Sequence, residues 1–332
     1  MIVIPGHRRQ FLRGLAGAGI VAATGLPALS ISSAFASAAA EVSGKPAAGK
    51  IGDFKISLAE WSLHRALKAQ DAKITNLDFP RIAREDYGID GVEFVNQFFP
   101  DKARDDAYLK ILKARADDHG VTCVLIMIDH EGDLSAADEA ARKKAVEDHK
   151  KWVDAAAALG CHSIRVNTGA NYGPTNLDAA AQGCGALVEY GASRKINVIC
   201  ENHGGPSSDP DSLIPLIKKV NHERFGTLPD FGNFPRKEKE EKEKDGPFAI
   251  DVYDAIARMM PFAKGVSAKS FDFGPDGKET RLDYARILKI VTDAGYHGYV
   301  GIEYEGTRLP EPEGIRATKR LLESLRGAVY TP

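Results

Sequence analysis

Over residues 51–330 the sequence predicts one domain of the α/β class, a closed (β/α)8 barrel, and three observations lead there. From Lys55 onward, short apolar runs rich in β-branched residues alternate eight times with longer amphipathic stretches. The short runs are close to continuously apolar, as strands buried on both faces of a parallel sheet must be. Glycines at 88, 120, 160 and 295 stand between a helical stretch and the next apolar run, where a left-handed residue ends a helix cheaply. The chain of 332 residues exceeds the roughly 250 that such a barrel needs, so length does not force a second domain. An open doubly wound sheet would give a similar alternation, but no glycine-rich dinucleotide fingerprint follows the first strand.

The elements follow in order. Strands are expected over 55–62, 91–96, 122–129, 163–168, 197–203, 226–231, 265–271 and 300–305. Helices are expected over 77–87, 105–119, 136–159, 177–194, 211–220, 251–260, 282–294 and 312–325. Leu109, Leu112, Lys113 and Ala116 lie on one helical face, as do Ile287, Leu288 and Val291. The run RKEKEEKEKD at 236–245, between strand six and its helix, mixes both signs and reads as a solvated loop extension.

Residues 1–40 have a different character. Arg8 and Arg9 precede Phe11 and Leu12, a weakly apolar Gly/Ala-rich stretch runs to Ile31, and Ala34-Phe35-Ala36 offers a small-x-small cleavage pattern. The pattern is that of a twin-arginine signal peptide and leader, which makes the export machinery a partner and gives a periplasmic or otherwise extracytoplasmic location. Gly14, Gly17, Gly19, Gly25 and Pro27 interrupt the apolar stretch and argue against a stable membrane anchor. A formal net charge of -2 gives no electrostatic reason for a nucleic-acid partner. Cys123, Cys161, Cys184 and Cys200 are scattered and lack C-x-x-C spacing, so the fold does not require disulfides.

In a barrel of this kind the chemistry sits at the C-terminal ends of the strands. Strands five, six and eight end in Cys200-Glu201-Asn202-His203, Pro229-Asp230-Phe231-Gly232-Asn233 and Ile302-Glu303-Tyr304-Glu305. Each places a carboxylate directly after apolar residues, and buried carboxylates that converge call for a cation. Hard oxygen ligands suit magnesium or manganese, and a histidine among them would favour manganese, cobalt or zinc. His203 shares a face with Glu201 if the strand continues that far, which makes it a candidate ligand and a candidate substrate contact. Glu93, Trp61, His64, His130 and Asn167 fall at or after the ends of strands one to four and, with Asn233, are candidates for the substrate wall. Trp61 suits stacking on a sugar ring, and Glu93 suits accepting hydroxyls.

With these residues in place, ISLAEWSL, GVEF, ENHGG, LPDFGN, VSAKSFDF and GYVGIEYEG together resemble the sugar phosphate isomerase/epimerase family, the xylose isomerase-like TIM barrels. The resemblance spans essentially the whole barrel. It implies that Glu201, Asp230 and Glu303 bind one divalent metal, with manganese expected first. It implies too that Glu201 and Glu303 exchange a proton at the carbon next to a carbonyl. Ser267 stands where the family usually has a histidine ligand, and Lys269, two residues on, is placed to assist the developing oxyanion.

The resulting expectation is an exported, metal-dependent isomerase or epimerase acting on a free sugar or sugar derivative, with oligomerisation left open. Elimination of an aglycone from a 3-keto-glycoside is the nearest alternative chemistry, and a sugar-binding barrel without catalysis is the non-enzymatic one. A multi-zinc phosphodiesterase on the same fold would need more histidines than these strand ends supply.

Overall fold

The structure, a computed structural model, describes residues 43–169, 172–237 and 247–332. The expected signal and leader at 1–40 lie outside the described residues, as does the charged run from 238 onward.

The eight strands are β1 Lys55–Ala59, β2 Gly91–Val95, β3 Thr122–Met127, β4 Ser163–Val166, β5 Asn197–Glu201, β6 Phe225–Leu228, β7 Val266–Ser270 and β8 Tyr299–Tyr304. They form one parallel sheet in the order β6-β5-β4-β3-β2-β1-β8-β7. The edge strands β6 and β7 then meet through parallel bridges, Thr227 with Ala263 and Asp230 with Ser267. At the second bridge the Ser267 amide donates to the Pro229 carbonyl and the Phe231 amide donates to the Ser267 carbonyl, both at 3.0 Å, so the ring closes. Closure is what the alternation of runs could not itself establish.

The helices after each strand are α1 Phe79–Tyr87, α2 Asp106–Asp118, α3 Glu139–Leu159, α4 Leu177–Ser193, α5 Pro210–Val220, α6 Val252–Met259, α7 Tyr284–Asp293 and α8 Glu311–Leu325. Local chemistry fixes their ends. The side chains of Asp105, Asp138, Asp251 and Asp283 each accept an amide hydrogen bond from the first turn of the helix that follows. Gly88 and Gly160 close α1 and α3 with φ of 63° and 76°, a region where a side chain would be strained. Between the described ends, Gly49–Lys50 pairs antiparallel with Val329–Tyr330.

Two hydrophobic clusters divide the interior. The larger packs helices against the outside of the strands around residues such as Trp152, Phe94, Leu187 and Leu288. The smaller contains no helix residue: Ala59, Val95, Leu125, Met127, Ile199 and Leu228 are among its members, and Trp61 and Phe98 cover it. It therefore lies within the ring, below the mouth where the polar residues gather.

Seven of the eight strands are shorter than expected, and at β1 and β5 the difference moves a candidate residue. β1 ends at Ala59, where a 3-10 turn Glu60–Leu63 begins. The buried Glu60 carboxylate drives that turn, accepting from the Val95 amide at 2.9 Å and from Asn76 Nδ2 at 2.8 Å. Trp61 is consequently carried on a turn at the rim. β5 ends at Glu201, and the chain then turns through Gly204 with the His203 amide donating to Ser207 Oγ.

Candidate active site

The strand ends bring Glu201, Asp230 and Glu303 together: one oxygen from each lies within 4.8 Å of the others, and all three residues are buried. Their neighbours hold them individually. Asn202, the residue after Glu201, uses both ends of its amide on the Asp230 backbone, donating to the carbonyl at 3.0 Å and accepting from the amide at 2.7 Å. Asp230 Oδ1 accepts from the amides of Gly232 and Asn233, each at 2.8 Å. The Asn233 side chain also donates to Glu201 Oε1 at 2.7 Å. The Ser267 hydroxyl lies between two carboxylates, 2.6 Å from Asp230 Oδ2 and 3.1 Å from Glu303 Oε2. Its single proton can serve only one of them at a time.

Two buried cations oppose this charge. Lys269 on β7 places Nζ 3.1 Å from Glu303 Oε1, 3.4 Å from Glu305 Oε1 and 3.9 Å from Asp230 Oδ2. It also donates to Asn233 Oδ1 at 3.1 Å. Arg165 on β4 donates through Nη1 to Asp129 Oδ1 at 2.8 Å and sets Nε 2.8 Å from Glu201 Oε2. That second contact supplies charge without a hydrogen bond, because neither Arg165 Nε nor Glu201 Oε2 has a hydrogen-bonding partner.

The balance remains short of positive charge. Burial first, and then the neighbouring carboxylates, push the Glu201 and Asp230 carboxyls up to about 7. Burial works the same way on Glu303, but Lys269 and Arg165 overcome it and hold that carboxyl below its ordinary value. Asp129 also sits well below the carboxylate range, since Arg165 outweighs its burial. Three converging carboxylates, two of them resisting ionisation, and one buried oxygen without a hydrogen bond form a donor set that fits a hard divalent cation.

The xylose isomerase-like TIM barrel family matches residues 82–325, most of the barrel and all three carboxylates. The chain belongs to this family. Among solved structures, an L-ribulose 3-epimerase aligns with this xylose isomerase-like barrel at a TM-score of 0.64 and 16% identity, over 82% of this chain and 94% of that one. A 3-keto-D-glucoside 4-epimerase from E. coli aligns at 0.61 and 15%, over 82% of this chain and 100% of that one. A xylose isomerase-like TIM barrel protein from Mycobacterium smegmatis, in complex with magnesium, aligns at 0.61 and 17%, over 82% and 96%. No curated protein sequence matches the chain. At these identities the likeness is one of fold.

Around the centre of this xylose isomerase-like barrel the other candidates take different places. Asn167 is half-buried at the mouth, donating to Asp129 Oδ1 at 2.9 Å. Trp61 donates from Nε1 to Glu305 Oε1 at 2.6 Å, with the His64 ring stacked 5.1 Å away and the Lys68 ammonium 4.2 Å from its centroid. Part of the indole face is therefore occupied by the protein's own side chains. His130 is exposed in a left-handed conformation with φ of 63°. His203 is exposed on the loop beyond β5 and is absent from the converging set, because the strand ends before the alternation could bring it inward.

Glu93 differs most from its expected place on the substrate wall. It accepts from Ser57 Oγ at 2.5 Å and is only 2% exposed, with Oε2 lacking a partner. Its carboxylate lies against Gly301, two residues before Glu303 on β8 and hence one tier deeper in the ring. Burial, chiefly, pushes it up to about 8. A Cβ at position 301 would come within 2.5 Å of both Glu93 oxygens. Gly301→Ala is therefore expected to cost about 1–3 kcal/mol in urea unfolding. Unchanged stability would contradict this position for Glu93.

Arg165, Asp129, Asn202 and Glu305 join the site without having been expected there. Arg165 does leave a signal in the sequence, a lone cation inside the apolar strand run Ser163–Val166. Asp129 and Glu305 stand at the very ends of expected strands and are legible by the rule that exposes Glu201.

Proposed function

We propose that this chain is a divalent-metal-dependent sugar isomerase or epimerase that moves a proton at the carbon next to a carbonyl. The observation that carries the reading is the convergence of Glu201, Asp230 and Glu303 within 4.8 Å at the ends of β5, β6 and β8. These three residues would hold the ion; manganese is the first choice, with magnesium, cobalt or zinc as alternatives. A bound divalent ion would neutralise negative charge developing on the substrate oxygen as the proton leaves. That two structural neighbours are epimerases and a third is in complex with magnesium supports the same chemistry.

Glu303 takes the proton from carbon in this reading. Lys269 keeps its carboxyl ionised against the cost of burial. Glu201 approaches from β5, three strands away round the ring, and exchanges a proton on the other side of the reacting carbon. Asn233 orients it through Oε1. Lys269 adds a positive charge on the oxyanion side. Asn167, Trp61, His130, Asn233 and His203 surround the mouth and contact the sugar, while Glu93 supports the site from below.

Export through the twin-arginine leader is part of the proposal and gives an extracytoplasmic location. Phosphosugars are mainly cytoplasmic, so the substrate class is free sugars and glycosides, including their keto derivatives. Incubation with a panel of such sugars in deuterated water is expected to place deuterium next to the carbonyl. Release of an aglycone from a 3-keto-glycoside would redirect the reading to elimination. No exchange and no elimination across the panel, with metal present, would leave a sugar-binding barrel.

A further inference from the structure

We propose that Lys269 is a built-in competitor of the divalent cation, holding the affinity of the three-carboxylate site below what its carboxylates alone would give. The inference rests on the metal reading above and adds what this chain's own lysine does to it.

Lys269 engages two of the three carboxylates. Lys269 Nζ lies 3.1 Å from Glu303 and 3.9 Å from Asp230, and the residue is 2% exposed. The Ser267 hydroxyl spans the same two side chains. The Asp230 and Glu303 side of the cluster is thus covered by an ammonium and a hydroxyl. The Glu201 side has its own cation, with Arg165 Nε 2.8 Å from Oε2, although that oxygen accepts no hydrogen bond. A doubly charged ion entering between the carboxylates meets the ammonium a few ångströms away, where little water screens the repulsion.

Lys269 also has somewhere to go. Glu305 lies two residues beyond Glu303 on the same strand side, 3.4 Å from Nζ, and its side chain is 29% exposed. Asn233 Oδ1 accepts from the same ammonium at 3.1 Å. When a cation enters, the ammonium shifts from Glu303 and Asp230 toward Glu305 and Asn233, outward and into better hydration. When the cation leaves, it returns and covers the carboxylates. The metal is therefore exchangeable, and its loss does not strip the buried acids of all countercharge.

The test is calorimetric titration of the chelator-stripped full chain with MnCl2 and, separately, MgCl2, comparing the wild type with Lys269→Gln. The glutamine amide can still donate to Asn233 but carries no charge. The expected result is a Kd at least about tenfold tighter in the variant, a gain that a merely structural lysine would not produce. Equal or weaker binding by a variant with the wild-type circular dichroism spectrum overturns the competition while leaving the metal site intact. Binding by neither protein overturns the metal reading and this inference with it. Should Lys269→Gln fold only when metal is added, thermal melts across a MnCl2 series decide: rescue at concentrations below the wild-type Kd supports the proposal, and no rescue overturns it.

Discussion

Glu303→Gln is expected to lower turnover by about 10²–10⁴-fold, the usual contribution of a positioned proton-transfer group. The substitution preserves size and one oxygen but removes basicity at the atom assigned to take the proton. It also leaves Lys269 without its partner at 3.1 Å, although Glu305 and Asp230 remain close. The loss must therefore be separated from unfolding by a thermal melt of the same preparation. Deuterium incorporation next to the carbonyl should fall in parallel with turnover, because both need the same proton transfer. Metal should still bind, more weakly, through Glu201 and Asp230. A folded variant that turns over at the wild-type rate would remove Glu303 from the chemistry and leave it a structural anion for Lys269.

Stripping the protein with a chelator is expected to abolish turnover, and MnCl2 to restore it. The effect on stability should be far smaller than the effect on rate. Arg165 and Lys269 stay beside the carboxylates when the ion departs. At about 100-fold excess over Kd, binding adds about 2.7 kcal/mol, which for a domain of this size raises the melting temperature by about 4 °C. Melts recorded with chelator and with MnCl2, alongside the rates, measure both. Full activity after exhaustive chelation would exclude metal dependence. Wholesale unfolding would show that the two internal cations do not compensate as described.

The barrel is legible in the sequence because its evidence is distributed. Eight runs and eight helices each give an independent signal, and an error of two residues at any one end does not change the count. The three carboxylates are legible for a related reason: each follows an apolar run, and the fold sends all such positions to one mouth. Residues whose role depends on a particular strand end are harder to place. His203 joins the three carboxylates only if β5 continues two residues further, but the strand stops at Glu201 and the histidine is exposed. Glu93 is expected at the mouth, yet it stands third of the five residues of β2 and lies beside Gly301, a contact between β2 and β8 one tier below Glu303. Arg165 escapes notice because a single cation in a strand is usually explained by a surface partner. Only its burial, with Asp129 on one side and Glu201 on the other, shows how much charge it balances.

The seam between β6 and β7 lends the site a mechanical meaning. Elsewhere in the ring neighbouring strands share a ladder, whereas here the described backbone meets at two bridges, one of them between Asp230 and Ser267. Glu201 and Asp230 stand on one bank of that seam, Lys269 and Glu303 on the other. An ion held by the carboxylates would act as a clasp across the joint that closes the barrel. Loading the centre would then tie the two banks of the mouth together.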